Sequence, residues 1–213
     1  MSQSFSIYID AWENGAAIPT KFDFGKPGGE AGPFAVSDNL SPKISWENAP
    51  VDTKSFALVC VDPDVPSKAD DVNQADRVVP ADLPHVDFYH WVLFNIPADV
   101  NELPEGIGSE GVVAHGKPVG AAKIGKAGKN NYTDWFAGDP DMDGVYGNYD
   151  GPCPPWNDSI KHHYHFKLFA LSVESLDLTD AVSGPELLEA IKPFILEEAR
   201  YIGTYSMNPD VSA

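Results

Sequence analysis

Apolar and polar positions alternate over residues 4–9, Ser-Phe-Ser-Ile-Tyr-Ile, with the period of two that marks a strand with one buried face. Short extended pieces follow in GAAIPTKFDF (15–24) and KISWENAP (43–50). Residues 55–61, SFALVCV, then form an unbroken apolar run that stops at Asp62-Pro63-Asp64, which predicts a strand buried on both faces. A second such strand is predicted over 89–97, YHWVLFNIP, and a third over 162–172, HHYHFKLFALS. Residues 67–88 are polar, contain prolines and show no period, so they predict a long surface excursion. The segment from His115 to Pro155 also lacks apolar periodicity, and a loop of that length inside a domain is usually functional.

One helix is predicted, over about 185–200. Ser183 and Glu186 make a Ser-x-x-Glu capping box, and Pro185 suits the first turn. Leu187, Leu188, Ile191, Ile195 and Ala199 form an apolar stripe at helical spacing. Pro193 falls inside that stripe, where its ring and missing N–H predict a kink or a split. Tyr201–Met207 returns as a last strand. No repeat or linker divides the chain, so residues 1–213 are expected to be a single, mainly β domain with a C-terminal helix.

Strand phase sorts the polar residues, because successive side chains point to opposite faces. His162 and Tyr164 share a face with Phe166, Leu168 and Ala170 and are expected to point inward. His163 and His165 share the basic face with Lys161 and Lys167 and are expected to meet water; a His-x-His metal pair there is the alternative. Asp62 is in phase with Phe56, Leu58 and Cys60, and His90 with Val92, Phe94 and Ile96. Polar groups at the ends of apolar strands need partners, and meeting one another would supply them. The proline-stiffened loop Gly151-Pro152-Cys153-Pro154-Pro155 keeps few N–H groups, and the one at Cys153 can face an anion. Cys153 as a nucleophile with His162 as its base is the competing reading of the same stretch.

Composition narrows the partners. Lys and Arg number 14 against 32 Asp and Glu, a net charge of −18 that repels nucleic acid and anionic membrane surfaces. With 18 glycines and 19 prolines the chain suits a turn-rich β fold better than a helix bundle. Its two cysteines, Cys60 and Cys153, make neither a disulfide framework nor a Cys-x-x-Cys pair. No run reaches the roughly 18 apolar residues of a transmembrane segment, and the N-terminal residues show no signal-peptide pattern. The expectation is a cytoplasmic protein.

In order along the chain, DNLSPKISWENAPVDTKSFALVCVDPDVP (38–66), HWVLFNIP (90–97), GPCPP (151–155), HHYHFKLFALS (162–172) and YIGTYSM (201–207) resemble the phosphatidylethanolamine-binding protein family. This is the Raf kinase inhibitor protein family, here in its bacterial and archaeal form, and the resemblance spans about residues 5–206. It implies antiparallel sheets packed as a β-sandwich with a peripheral C-terminal helix. It also implies a small pocket for phosphate-like anions, including the phosphoethanolamine head group. The residues it assigns to that pocket are Asp62, Asp64, His90, Gly151, Cys153, Pro154, His162 and Tyr164. The implied function is non-enzymatic binding of a phosphate-bearing small molecule or lipid head group, with a kinase or protease as the protein partner. No catalytic residue is assigned. The alternative is a hydrolase or phosphotransfer enzyme using His90, His162 and Asp62. Segments 67–88 and about 133–145 look longer than the family pattern, and both flank the expected pocket mouth. Protonation of His90 and His162 predicts anion binding that strengthens below about pH 6.5. Separately, Asp139, Asp141, Asp143 and Gly144 reproduce the start of a calcium loop, with Asp150 at its twelfth position, which makes calcium the one cofactor candidate.

Overall fold

A computed structural model describes residues 4–211. The strands that carry the fold are β1 (Ser6–Tyr8), β2 (Ile44–Glu47), β3 (Ser55–Pro66), β4 (His85–Pro97), β5 (Glu102–Leu103), β6 (Gly120–Ala121), β7 (Lys126–Ala127), β8 (His162–Leu171) and β9 (Ile195–Tyr205). The α-helices are α1 (Tyr132–Trp135) and α2 (Gly184–Ile191). The large sheet has six strands in the order β9-β8-β3-β4-β7-β6, each antiparallel to its neighbour. A three-stranded antiparallel sheet, β1-β2-β5, covers one of its faces.

The alternation of β3 and β8 explains why both run deep in the protein. Phe56, Leu58, Cys60, Tyr164, Phe166 and Leu168 face the small sheet, where they pack with Ile7, Ile44 and Trp46. Ala57, Val59, Val61, Phe169 and Leu171 face the other way and pack against Leu187 and Ile191 of α2. The large sheet is therefore apolar on both faces, as its unbroken hydrophobic runs require. The result is a mainly β, antiparallel sandwich with one short helix near the C-terminus.

Three boundaries differ from the sequence reading. β3 does not stop at Asp62-Pro63-Asp64 but pairs on to Val65 and Pro66, with a register shift between Asp62 and Val65. Pro63 has no N–H to give a ladder, so a bulge is where a strand can carry it. β4 correspondingly starts at His85, and the excursion between the strands is shortened to residues 67–84. The helix expected over about 185–200 ends at Ile191; a 3-10 turn at Lys192–Phe194 follows, and Ile195–Ala199 belong to β9. Pro193 does break the helix, and Ile195 then pairs with Leu171 instead of continuing the apolar stripe. The N-terminal cap is as expected: the Ser183 N–H and hydroxyl both reach Glu186 Oε2, at 2.9 and 2.6 Å.

The phase expected for β4 is also corrected. Trp91, Leu93 and Ile96 face the small sheet, whereas Val92 and Phe94 face α2. Register shifts on β4 opposite Phe56/Leu58 and Cys60/Val61 reset the alternation twice. Asn95 lies at φ +53°, the left-handed backbone that Asn tolerates better than most residues. The second shift leaves His90 as the extra residue between Tyr89 and Trp91, opposite the Cys60–Val61 step. A bulge of this kind re-aims a side chain, and His90 is thereby turned out of line with Val92 and Phe94.

Candidate functional site

Where β3, β4 and β8 present these shifted ends, a cavity of about 270 Å³ opens. Asp62, His90, His162 and Tyr164 lie at its polar end, with Cys153 and Pro154 beside them. The sequence groups Asp62, Asp64, His90, His162 and Tyr164 at these strand ends; the cavity gathers four of them, His90 by way of its bulge, and leaves out Asp64.

His162 is fully buried and engaged on both sides. Its Nδ1 lies 2.7 Å from Asp62 Oδ2 and its Nε2 lies 3.2 Å from Asp158 Oδ2. Burial alone pulls an imidazolium down, but here the Asp62 and Asp158 carboxylates outweigh it and hold His162 up to about 10. It is therefore a cation at neutral pH, flanked by two acids, with no ring nitrogen left for a ligand. Asp62 is further fixed by the Asp64 N–H, which donates to its Oδ1 at 2.9 Å.

His90 behaves differently. Burial is the largest influence on it and pulls it below the ordinary imidazole value. Its Nδ1 is 2.8 Å from the Asp150 carbonyl. A carbonyl only accepts, so Nδ1 carries the hydrogen, and Nε2 is the nitrogen available to a ligand. Tyr164 is 1% exposed, yet its hydroxyl has no hydrogen-bond partner among the described residues. A buried, unsatisfied donor of this kind costs about 1–3 kcal/mol. Its ring meets His90 edge-on, with centroids 5.1 Å apart.

The Gly151–Pro155 loop forms one wall. A Cβ on Gly151 would lie 2.0 Å from the Phe22 carbonyl oxygen, so only glycine fits that approach. The Gly151 N–H donates to Asn39 Oδ1 at 2.8 Å, and its carbonyl accepts the Tyr132 hydroxyl at 2.7 Å. Both of its backbone groups are thus occupied inside the protein, and Gly151 supports the cavity without lining it. Burial pushes the Cys153 thiol up to about 12, and its Sγ rests 4.0 Å from Met207 Sδ. Asp64 turns away from the cavity. Its Oδ2 accepts from the His163 backbone N–H and lies 2.8 Å from His163 Nδ1.

Several contributors carried no clear mark in the sequence. Asp150 is fully buried: Oδ1 takes Asn39 Nδ2 and Lys117 Nζ, each at 2.8 Å, and Oδ2 takes Asn130 Nδ2 at 2.8 Å. Its N–H also donates to the His90 carbonyl at 3.0 Å, so Asp150 and His90 grip each other through the backbone. This places Asp150 at the base of the site and removes it from the calcium loop expected over 139–150. Asp139 Oδ1 in turn accepts the N–H groups of Asp141 and Met142 in a local turn. The carboxylates of Asp139, Asp141, Asp143 and Asp150 are not gathered, and the described residues contain no group of three or more His, Cys, Asp or Glu placed to hold a metal ion. The far walls are aromatic. Phe24 stacks on Tyr132 at 4.6 Å, Tyr132 on Phe136 at 5.6 Å, and Phe88 meets Tyr132 edge-on at 5.2 Å. The visible signal was the cluster Tyr132, Trp135 and Phe136 within an otherwise polar segment.

Near the site, Asp23 is fully buried, and neither carboxylate oxygen has a partner among the described residues. Tyr205 lies beside it but directs its hydroxyl to the Gly25 carbonyl at 3.1 Å. Burial pushes Asp23 up to about 9, against smaller opposing effects of Tyr205 and Lys26.

Comparison with known proteins matches residues 9–206 to the family model described as phosphatidylethanolamine-binding protein. A UPF0098 protein of Methanothermobacter thermautotrophicus is 34% identical over 168 residues, covering 79% of this chain and 83% of its own. The UPF0098 protein YbhB of Escherichia coli is 32% identical over 151 residues, 69% of each chain. The crystal structure of Escherichia coli YbcL, described as a new member of the mammalian PEBP family, superposes with a TM-score of 0.67 at 24% identity. It covers 95% of this chain and 98% of YbcL, a likeness that bears on the fold alone.

Proposed function

Since the chain belongs to the phosphatidylethanolamine-binding protein family, we propose that it is a non-enzymatic binding protein whose cavity holds the head of a phosphate-bearing small molecule or lipid. The observation that carries this reading is the buried Tyr164 hydroxyl, a donor with no partner among the described residues, set in one cavity beside His90, whose Nδ1 is engaged by the Asp150 carbonyl. A phosphate oxygen would accept from Tyr164. One proton would lie between a second oxygen and His90 Nε2, whether the ligand or the imidazole brings it. His162 supplies no direct contact; its charge offsets those of Asp62 and Asp158. The buried thiol of Cys153, held up to about 12, and the doubly engaged His162 offer no ready pair of nucleophile and base, which favours binding over hydrolysis or phosphotransfer. The free thiols of Cys60 and Cys153 fit a reducing, cytoplasmic setting.

Titration calorimetry with phosphoethanolamine and with inorganic phosphate, at pH 5.5 and pH 7.5, tests the proposal. Binding is expected to be tighter at pH 5.5, because burial disfavours the His90 cation until the pH falls below its ordinary value. Tyr164→Phe is expected to weaken it about 10- to 100-fold, the range for a hydrogen bond to a charged group. Affinity unchanged by both pH and Tyr164→Phe would overturn the reading.

A further inference from the structure

β9 is one edge of the large sheet, and its outer side is only half covered. The Ile202 N–H donates to Asn14 Oδ1 and the Ile202 carbonyl accepts the Gly15 N–H, each at 2.8 Å. The Thr204 N–H donates to the Ala16 carbonyl and the Thr204 carbonyl accepts the Ile18 N–H, each at 2.9 Å. The segment that follows β1 thus closes the edge from Ile202 onward.

Those bonds fix the direction of the backbone that precedes them. In an antiparallel ladder, alternate residues turn both N–H and C=O toward the same side. Ile202 and Thr204 turn theirs outward, so Arg200 and Glu198 do so too, while Ala199 and Tyr201 bond to β8. The register with β8 is unbroken over this stretch, with Thr204 to Glu198 opposite His163 to Phe169. The His163 N–H agrees with it, pointing away from β9 to Asp64 Oδ2. Among the described residues nothing bonds the outward N–H and C=O of Glu198 and Arg200.

The side chains on this open stretch are ordered as well. Glu198 and Arg200 share one face, with Arg200 Nη2 3.2 Å from Glu198 Oε1, and both are well exposed. Arg200 also stands opposite Lys167 in the ladder, and like charges directly opposite are unfavourable. Ala199, between them, turns its small side chain inward toward the small sheet. At the far end the register shifts between Glu197 and Ile195, and Leu196 is left unpaired and 39% exposed.

We propose that a second copy of this chain pairs antiparallel along this edge, with the two Ala199 residues facing each other across a two-fold axis. Glu198 of each copy then lies opposite Arg200 of the partner subunit, and each such pair exchanges both backbone hydrogen bonds. The order Glu198-Ala199-Arg200 is self-complementary under this operation, as a two-fold interface requires. The charges alternate along the seam, and each Arg200 gains a carboxylate on the side away from Lys167. The Ala199 pair is of the non-hydrogen-bonded kind, where the strands approach most closely and a small side chain fits. An unrelated extended peptide can use the same backbone groups, but only a copy of this chain brings the matching charges. The seam is short, because Ile202 already has its cover and a strand bends where its register shifts, so the dimer is a weak, exchanging one.

Sedimentation equilibrium of the whole chain tests this, in about 0.5 M salt to screen the long-range repulsion between two chains of net charge −18. A dimer is expected to form with rising concentration between about 10 μM and about 1 mM. Glu198→Arg and Arg200→Glu are each expected to weaken it at least about tenfold, and the double variant, which keeps the alternation, to return to within about threefold of the parent. Glu198→Pro removes an outward N–H and no bond within the sheet, and is expected to leave the chain monomeric. Melting curves matching the parent establish that the variants are folded. A parent that stays monomeric throughout the range overturns the proposal. So does a dimer indifferent to Glu198→Pro, which must use another surface. A double variant as weak as the single ones overturns the antiparallel register.

Discussion

Replacing Asp23 by Asn tests whether a carboxyl group is folded into this protein in its protonated form. Asp23 is fully buried without a side-chain partner among the described residues, and its pKa rises from 3.8 to about 9. Between those values the folded protein keeps a proton that the unfolded chain releases. Stability therefore falls as pH rises from about 4 to about 9, and is unaffected by this group below that window. Each pH unit inside it costs about 1.36 kcal/mol. From pH 5 to pH 8 the cost grows by roughly 4 kcal/mol, as three times that value. Asn carries no charge in either state and escapes it. Its amide has a burial cost of its own, but that cost is the same at both pH values and cancels in the difference. The expected outcome is that the advantage of Asp23→Asn over the parent increases by about 4 kcal/mol between pH 5 and pH 8. For a domain of this size that is on the order of 8–16 °C in Tm. Calorimetric melting of both proteins at the two pH values measures it. A gap that changes by less than about 1 kcal/mol would show that Asp23 is ionised in the fold or reached by water, and the reasoning would fail.

Two further predictions concern buried charge. His162 is held up to about 10, so its contribution is complete below its ordinary value of 6.5 and fades as pH rises toward 10. His162→Gln, which leaves Asp62 and Asp158 facing an uncharged amide, should cost about 3–5 kcal/mol at pH 6 and distinctly less at pH 10, read by urea denaturation. Asp150→Ala should cost a similar 3–5 kcal/mol, because Lys117 is left as an unpaired buried cation. Adding Lys117→Met should restore much of that loss in the same assay, and no recovery would count against the ion pair as the cause.

The regular strands were legible and the irregular ones were not. β3 and β8 keep a strict alternation up to Asp62 and from His162, so counting by two places these side chains on the cavity side. β4 carries bulges at His90 and near Asn95 that no glycine or proline announces, and counting by two along it misplaces His90. Pro193 signalled a break, but Ile195 and Ala199 also fit a helical stripe by coincidence of spacing. The acidic run 139–150 has the charges of a calcium loop, yet a backbone turn at Asp139 and the Lys117 ion pair draw its carboxylates to different places. Asp158 gave no signal, because its approach to His162 depends on the path of an irregular loop.

The order of strands in the large sheet has a consequence for how the chain comes to be folded. β3 and β4 are joined by a modest excursion and can pair early, but the other edge of β3 waits for β8. The Asp62–His162 contact spans 100 residues, and the Asn39–Asp150 contact spans 111. Such long-range pairing places the domain among slow folders, in the millisecond-to-second range. During synthesis at about 5–20 residues per second, the β3 edge stays unpaired for several seconds, presenting Val59 and Val61 on a long hydrophobic strand to any other extended chain. Pro63, Pro66 and the acidic residues around them stand at one end of that edge, where they limit how far a foreign strand can run along it.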